Sequence, residues 1–210
     1  VNLIKGDVIL VVGGTRKLLW LLKCKFKGLK IVHRLDGLLW RHNIESVGVI
    51  YYWRSKLINL LLFIIRNFFA DHVIYQSEFI QKWWREWYGT ERCRSSIIYN
   101  SADLSVFTPG DKIAGVGSMI CVEGNLPDDD VTLRTLIEVH TGLYDRELIH
   151  NTLVFGGLSS KAEKVLSSIE GLEIKGTVPR KKIIEAYGQS SLYLSLEILP
   201  PCPNSVIEAM

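Results

Sequence analysis

The sequence predicts an α/β protein made of two parallel-sheet halves, on three observations. Short β-branched runs alternate with stretches of helical apolar spacing, and strands separated by helices imply parallel βαβ units. One tract of turn formers without periodicity, Thr108 to Gly117 (TPGDKIAGVG), interrupts the alternation, which then restarts. The composition, 48 % apolar and 22 % charged over 210 residues, is that of a globular chain long enough to bury a sizeable core.

In the first half, Asp7 to Val12, Lys30 to His33, His72 to Tyr75 and Ser96 to Tyr99 read as strands, because β-branched side chains crowd into short runs there. Lys17 to Lys27, roughly Ser55 to Phe69, and Glu78 to Tyr88 carry apolar residues at helical spacing. In the second half, Met119 to Glu123, Thr152 to Phe155, Leu172 to Lys175 and Leu192 to Ser195 read as strands. Val131 to Thr141, Lys161 to Ile169 and Arg180 to Gly188 read as helices. The expected domains are residues 1–112 and 113–210.

The charge balance narrows the function. A net charge of +3 is too small for a nucleic-acid-binding domain, which carries clustered Lys and Arg. Four scattered cysteines without a CxxC pair argue against a zinc or redox motif and for reduced thiols in a cytoplasm. The run Leu57 to Phe69 contains Asn59 and Arg66 and is shorter than the ~20 residues that span a bilayer, so a buried or interfacial helix is expected. Much of the positive charge and many aromatic residues share the first third of the chain. That pattern suits an anionic membrane surface, peripheral on its inner face. A first residue that is not Met and a last residue inside a helix pattern suggest part of a longer gene product.

Ligands of open α/β sheets bind beyond the carboxyl ends of the strands, so the strand-to-helix loops are the places for chemistry. "VHRLDG" (32–37) puts His33, Arg34 and Asp36 at one strand end: an imidazole, a fixed cation and a carboxylate. The alternative is local, with Arg34 and Asp36 paired and His33 half-buried. Ser77 suits a helix N-cap, and Asn100, Asp103, Phe107 and Pro109 suit an anchored linker. In the second half Gly156 and Gly176 follow strands and admit either a ligand or a turn. Asn204, Ser205 and Val206 open a helix whose amides and dipole could hold a phosphate, with Glu208 in its first turn.

Taken in order, "ADHVIYQSEFIQKWWREWYG" (70–89), "IIYNSADLSVFTP" (97–109), "VEGNL" (122–126) and "PCPNSVIEAM" (201–210) resemble segments of retaining family-4 glycosyltransferases of the GT-B fold. The stretch "GGTRKLLWLLKCKFKGLKIVHRLDG" (13–37) is similar to family members too. The resemblance implies two Rossmann-like domains facing a cleft, both incomplete here, with the acceptor on the first and a nucleotide-sugar on the second. It implies transfer of a sugar, with retention, to a glycan or lipid-linked acceptor, as in polysaccharide biosynthesis, without a metal or other cofactor.

On that resemblance the catalytic positions are His33, Asp36 and Glu197. The donor-binding positions are Gly124, Asn125, Gly156, Gly176, Thr177, Val178, Asn204, Ser205, Val206 and Glu208. Two departures stand out. Pro200 occupies the place of the family's first glutamate, with Glu197 the nearest carboxylate, and Gly124 leads into Asn125 and Asp128 to Asp130 where the family has Arg and Lys. Arg134 or Lys175 would be the substitute cation. These departures leave open a non-catalytic nucleotide- or glycan-binding scaffold, and a third reading is a nucleotide-sugar epimerase of the same fold.

Overall fold

The computed structural model describes residues 8–44, 48–108, 116–126, 130–196 and 203–210. Two compact units meet in sequence between Asn100 and Ser101.

The first unit runs β1 (Val8–Val12), α1 (Leu18–Phe26), β2 (Lys30–Leu35), α2 (Arg41–Ile44), α3 (Val49–Ile64), a π-helical turn (Ile65–Phe69), β3 (His72–Tyr75), α4 (Glu78–Tyr88) and β4 (Arg94–Ile97). The four strands are all parallel, in the order β1-β2-β3-β4. Alternate residues of β2, Ile31, His33 and Leu35, are buried, the period of two that one covered face imposes. Helix α4 begins where expected: the Ser77 hydroxyl accepts from the Ile80 amide at 3.2 Å, and Gly89 closes the helix at φ +73°. Its inward face carries Ile80 and Trp84, both fully buried, against Leu35, Leu62, Val73 and Tyr75.

In this unit α3 and β4 depart most from the sequence reading. Helix α3 starts at Val49, six residues before the expected Ser55, because the aromatic and β-branched run Val49 to Trp53 has low helix propensity yet joins the helix. Its end is not α-helical: the Ala70 amide donates to Ile65 O at 2.9 Å, five residues back, and this turn holds the buried Arg66 and Asn67. Strand β4 lies two residues earlier than expected, leaving Ile98 and Tyr99 exposed.

The second unit runs β5 (Gly117–Asn125), α5 (Asp130–Tyr144), β6 (Ile149–Gly157), α6 (Ser160–Leu166), β7 (Leu172–Gly176), α7 (Arg180–Gly188), β8 (Ser190–Tyr193) and α8 (Asn204–Ala209). Its strands are parallel in the order β7-β6-β5-β8. Cys121, Val154 and Leu172 pack with α5 and α6 on one face, while Ile120 and Phe155 pack with Ala186 of α7 on the other. A sheet buried on both faces explains the unbroken apolar run Met119 to Val122 within β5.

Candidate functional site

In the first unit the expected residues converge at the carboxyl ends of the strands. Arg34 leaves β2 and donates to Asn100 Oδ1, Asn100 Nδ2 donates to Gln76 Oε1 at 3.0 Å, and Gln76 Nε2 donates to Asp36 Oδ1. Asp36 closes the ring on Arg34, 3.5 Å from its Nη1. The ring joins the ends of β2 and β3 to the residue that ends this unit. Sequence reading missed Gln76, whose signal is a polar residue directly after the apolar run of β3.

His33, the residue before Arg34, lies on the buried side of β2. It is fully buried, and its Nε2–H donates to Gly13 O at 2.6 Å while Nδ1 has no hydrogen-bond partner among the described residues. Burial lowers its pKa from 6.5 to about 4, against the opposing pull of the Gly13 bond, so the imidazole is neutral at physiological pH. Asp36, by contrast, is half open to solvent. Gly13 adopts φ +62°, and a Cβ there would stand 2.8 Å from Asp36 Oδ2. Gly13→Ala should therefore destabilise the protein by about 1–2 kcal/mol through left-handed strain and shift the Asp36 carboxylate. Denaturant titration checks this, and an unchanged midpoint would show that the loop relaxes freely.

In the second unit the strand order reverses at β5: β6 and β7 lie on one side and β8 on the other. Such a reversal opens a crevice at the strands' carboxyl ends. Gly124 and Asn125 end β5 there, both exposed. Glu123 is buried and accepts from the Leu196 amide at 2.8 Å, tying the segment after β8 to β5. Gly156, at φ +123°, allows the closest approach of β5 and β6, since a Cβ would overlap the Glu123 carbonyl. Gly176 ends β7 at φ +64°, and Thr177 is exposed while Val178 packs on the α7 face.

Helix α8 brings Glu208 to Arg180, whose Nη2 donates to Oε1 at 2.7 Å. The same guanidinium lies 5.1 Å above the Phe107 ring, and Tyr187, next to Phe107, donates its hydroxyl to Ser205 O at 3.2 Å. A cavity of about 260 Å³ opens beside these groups, lined by Phe107, Tyr187, Ser190 and Glu208. Arg180 was not foreseen as a site residue, because an arginine opening a helix reads as solvated surface. At the start of α8 the Val206 amide donates to Pro203 O at 3.2 Å. Glu197, Pro200, Asp128 and Asp129 lie outside the described residues. Among the described residues no three His, Cys, Asp or Glu side chains gather closely enough to hold a metal ion, and no helix is long and apolar enough to cross a membrane.

Comparison with solved structures defines the class of fold. The chain is similar to a glycosyltransferase from Rickettsia africae, at 13 % identity and TM-score 0.56, over 89 % of this chain and 50 % of that one. It is similar to S. aureus TarM, crystallised with Fondaparinux, alpha-GlcNAc-glycerol and UDP, at 16 % identity and TM-score 0.61, over 87 % and 35 %. It also matches the Methanocaldococcus jannaschii UDP-GlcNAc 2-epimerase in complex with UDP-GlcNAc and UDP, at 14 % identity and TM-score 0.51, over 91 % and 55 %. No family model matches the chain, and no curated protein sequence does. The shared property is the fold: the two units are Rossmann-like halves of GT-B type. The chain spans 35 % to 55 % of the length of these three structures.

Proposed function

We propose that this chain belongs to a glycosyltransferase that moves a sugar from a nucleotide-sugar donor to a glycan or lipid-linked acceptor with retention of configuration. The observation that carries the reading is the strand-order reversal at β5, where glycine-ended strands meet a segment anchored by Glu123. Gly124, Asn125, Gly156 and Gly176 then let backbone approach the donor, with Thr177 and Val178 on the adjoining loop. At α8 a diphosphate would meet the Asn204 and Ser205 amides first, since Val206 already donates within the helix turn. Glu208, held by Arg180, accepts from ribose hydroxyls. Charge on the leaving diphosphate is balanced by fixed dipoles and cations rather than by a metal. On the acceptor side Asp36 faces solvent and is the group able to touch substrate, with buried His33 acting through Gly13. Glu197 completes the catalytic set in this reading.

The test is calorimetry with a panel of nucleotide-sugars. A donor should bind saturably, and Glu208→Ala should weaken it by about ten- to a hundredfold, the loss of one or two hydrogen bonds to a carboxylate. In the complete enzyme transfer should fall at least as far. Unchanged affinity in that variant would remove Glu208 from the donor site.

A second reading has its own support. Gly124 leads into exposed Asn125 and then Leu126, which is buried in the core, so no cation stands directly after β5. A scaffold that binds glycan without turnover fits that feature, and silence across the nucleotide panel would favour it. Donor turnover to an epimeric sugar with no acceptor present would favour an epimerase instead.

A further inference from the structure

Two cavities of the first unit run into one another. One, of about 540 Å³, lies at the carboxyl ends of β1 and β2 and is lined by Gly13, Gly14, Asp36, Leu39 and Tyr51. The other, of about 600 Å³, runs along α3 past Val49, Ile50, Trp53 and Leu57. They share Arg16, Arg54, Ile58 and Leu61, so the cavity that holds Asp36 adjoins the one along α3, and both arginines line each.

The apolar part is open to solvent: Ile50 is 86 % exposed, Trp53 61 % and Leu57 63 %. Apolar groups gathered on one helix face and left uncovered mark a binding surface rather than scattered exposure. Its wall of Val, Ile, Leu and Trp offers a sugar almost no hydrogen-bonding groups, whereas an alkyl chain needs none. The two shared arginines supply the charge. Neither Arg16 nor Arg54 has an ion-pair or hydrogen-bond partner among the described residues. Asp36, the carboxylate of the first cavity, is already engaged by Gln76 and Arg34. Two uncommitted guanidiniums match a phosphate, which carries up to two charges and accepts forked hydrogen bonds.

We propose that this groove binds a lipid phosphate, its head between Arg16 and Arg54 and its chain along Ile50, Trp53 and Leu57. The assignment rests on the transferase reading for its purpose, where it names the acceptor class: an amphiphile whose phosphate is gripped while its polar end reaches Asp36 and the Gly13 loop. As a binding site it stands on the groove alone.

Dodecyl phosphate, kept below its micelle concentration, tests it with the whole chain, followed by calorimetry and tryptophan fluorescence. Dodecyl phosphate should bind saturably, at least roughly tenfold tighter than either dodecyl maltoside or inorganic phosphate, because each control lacks one half of the ligand. Arg16→Ala with Arg54→Ala should remove that preference while circular dichroism stays unchanged. Trp53→Phe should remove most of the fluorescence change and keep the affinity within a few-fold. Equal binding of the neutral and charged detergents overturns the proposal, as does binding to phosphatidic-acid vesicles without binding of the monomeric amphiphile. A dimer that Trp53→Glu dissociates, with no amphiphile bound, gives the face to a second copy of the chain. UDP binding measured on the same sample separates the two ideas. Nucleotide binding without the amphiphile sinks this inference alone, and the reverse sinks only the transferase reading.

Discussion

Replacing Glu91 with alanine should cost the first unit about 3–5 kcal/mol, because it strands a cation with no route to water. Arg66 is fully buried, and its Nη2 donates to Glu91 Oε2 at 3.0 Å and to Gly89 O at 2.7 Å, while Nε donates to the Tyr75 hydroxyl at 2.9 Å. Arg85 also grips Glu91, at 2.6 Å, but it is 41 % exposed and can rehydrate when its partner goes. The asymmetry sets the order of effects. Glu91→Ala should be worse than Arg85→Ala, and the paired change Arg66→Met with Glu91→Leu should recover much of the loss by removing both charges. Urea titration of the three variants checks the order, and a Glu91→Ala loss below about 1 kcal/mol would mean that water reaches Arg66.

The same carboxylate gives the stability a pH dependence. Burial alone would raise the Glu91 pKa, but hydrogen bonds from Arg85, Ser95 and Tyr75 outweigh it and hold the group well below the usual carboxylate range. A depressed carboxyl stabilises above its unfolded value near 4.5 and loses that contribution as pH falls further. His33 acts at higher pH. Its folded value of about 4 against 6.5 means that the unfolded chain takes up a proton the folded chain refuses. Stability should therefore fall in two stages, first from about pH 6.5 to 4 and then below about 4.5. His33→Gln should flatten the first stage and leave the second.

Trp84→Ala should by itself cost ~3–5 kcal/mol, in the range for buried aromatic truncation. Trp84 has no exposed surface, packs tilted against Tyr88 with ring centroids 5.3 Å apart, and its ring lies 5.6 Å from the Arg66 guanidinium. Its Nε1–H also donates to Asp36 O at 3.2 Å, so it braces the loop that presents the Asp36 carboxylate. Trp84→Phe separates the two roles: it keeps most of the packing but releases the loop. Because Trp84 touches Arg66, the Trp84→Ala and Glu91→Ala losses should not add. Additive losses in a double variant would show that the two groups act independently.

How far the sequence reaches can be judged residue by residue. β3 and the helices α4 and α7 fall where periodicity puts them, because each carries its own signal: a β-branched run, a Ser77 cap, an apolar stripe closed by glycine. The parallel character of both sheets follows from the same local alternation. The start of α3 was not legible, since its first residues favour strand and yield to the helix they extend. Of the ring of Arg34, Asp36, Gln76 and Asn100, only the Arg34–Asp36 pair was legible, as the local alternative; Gln76 and Asn100 reach it from distant parts of the chain.

By itself, then, the sequence determined the α/β alternation, the two parallel sheets and the loops where polar side chains collect, because these depend on neighbours a few residues apart. Tertiary structure decided what lies far apart in the chain: the partner of Glu208 twenty-eight residues away, the burial of His33 against Gly13, and the reversal of strand order at β5. It also decided that Arg66, a lone charge in an apolar run, turns inward to Glu91 through a π-helical turn. Periodicity records which face of an element is apolar. Only packing records which distant residue waits opposite that face, because such a pairing leaves no local pattern in either segment.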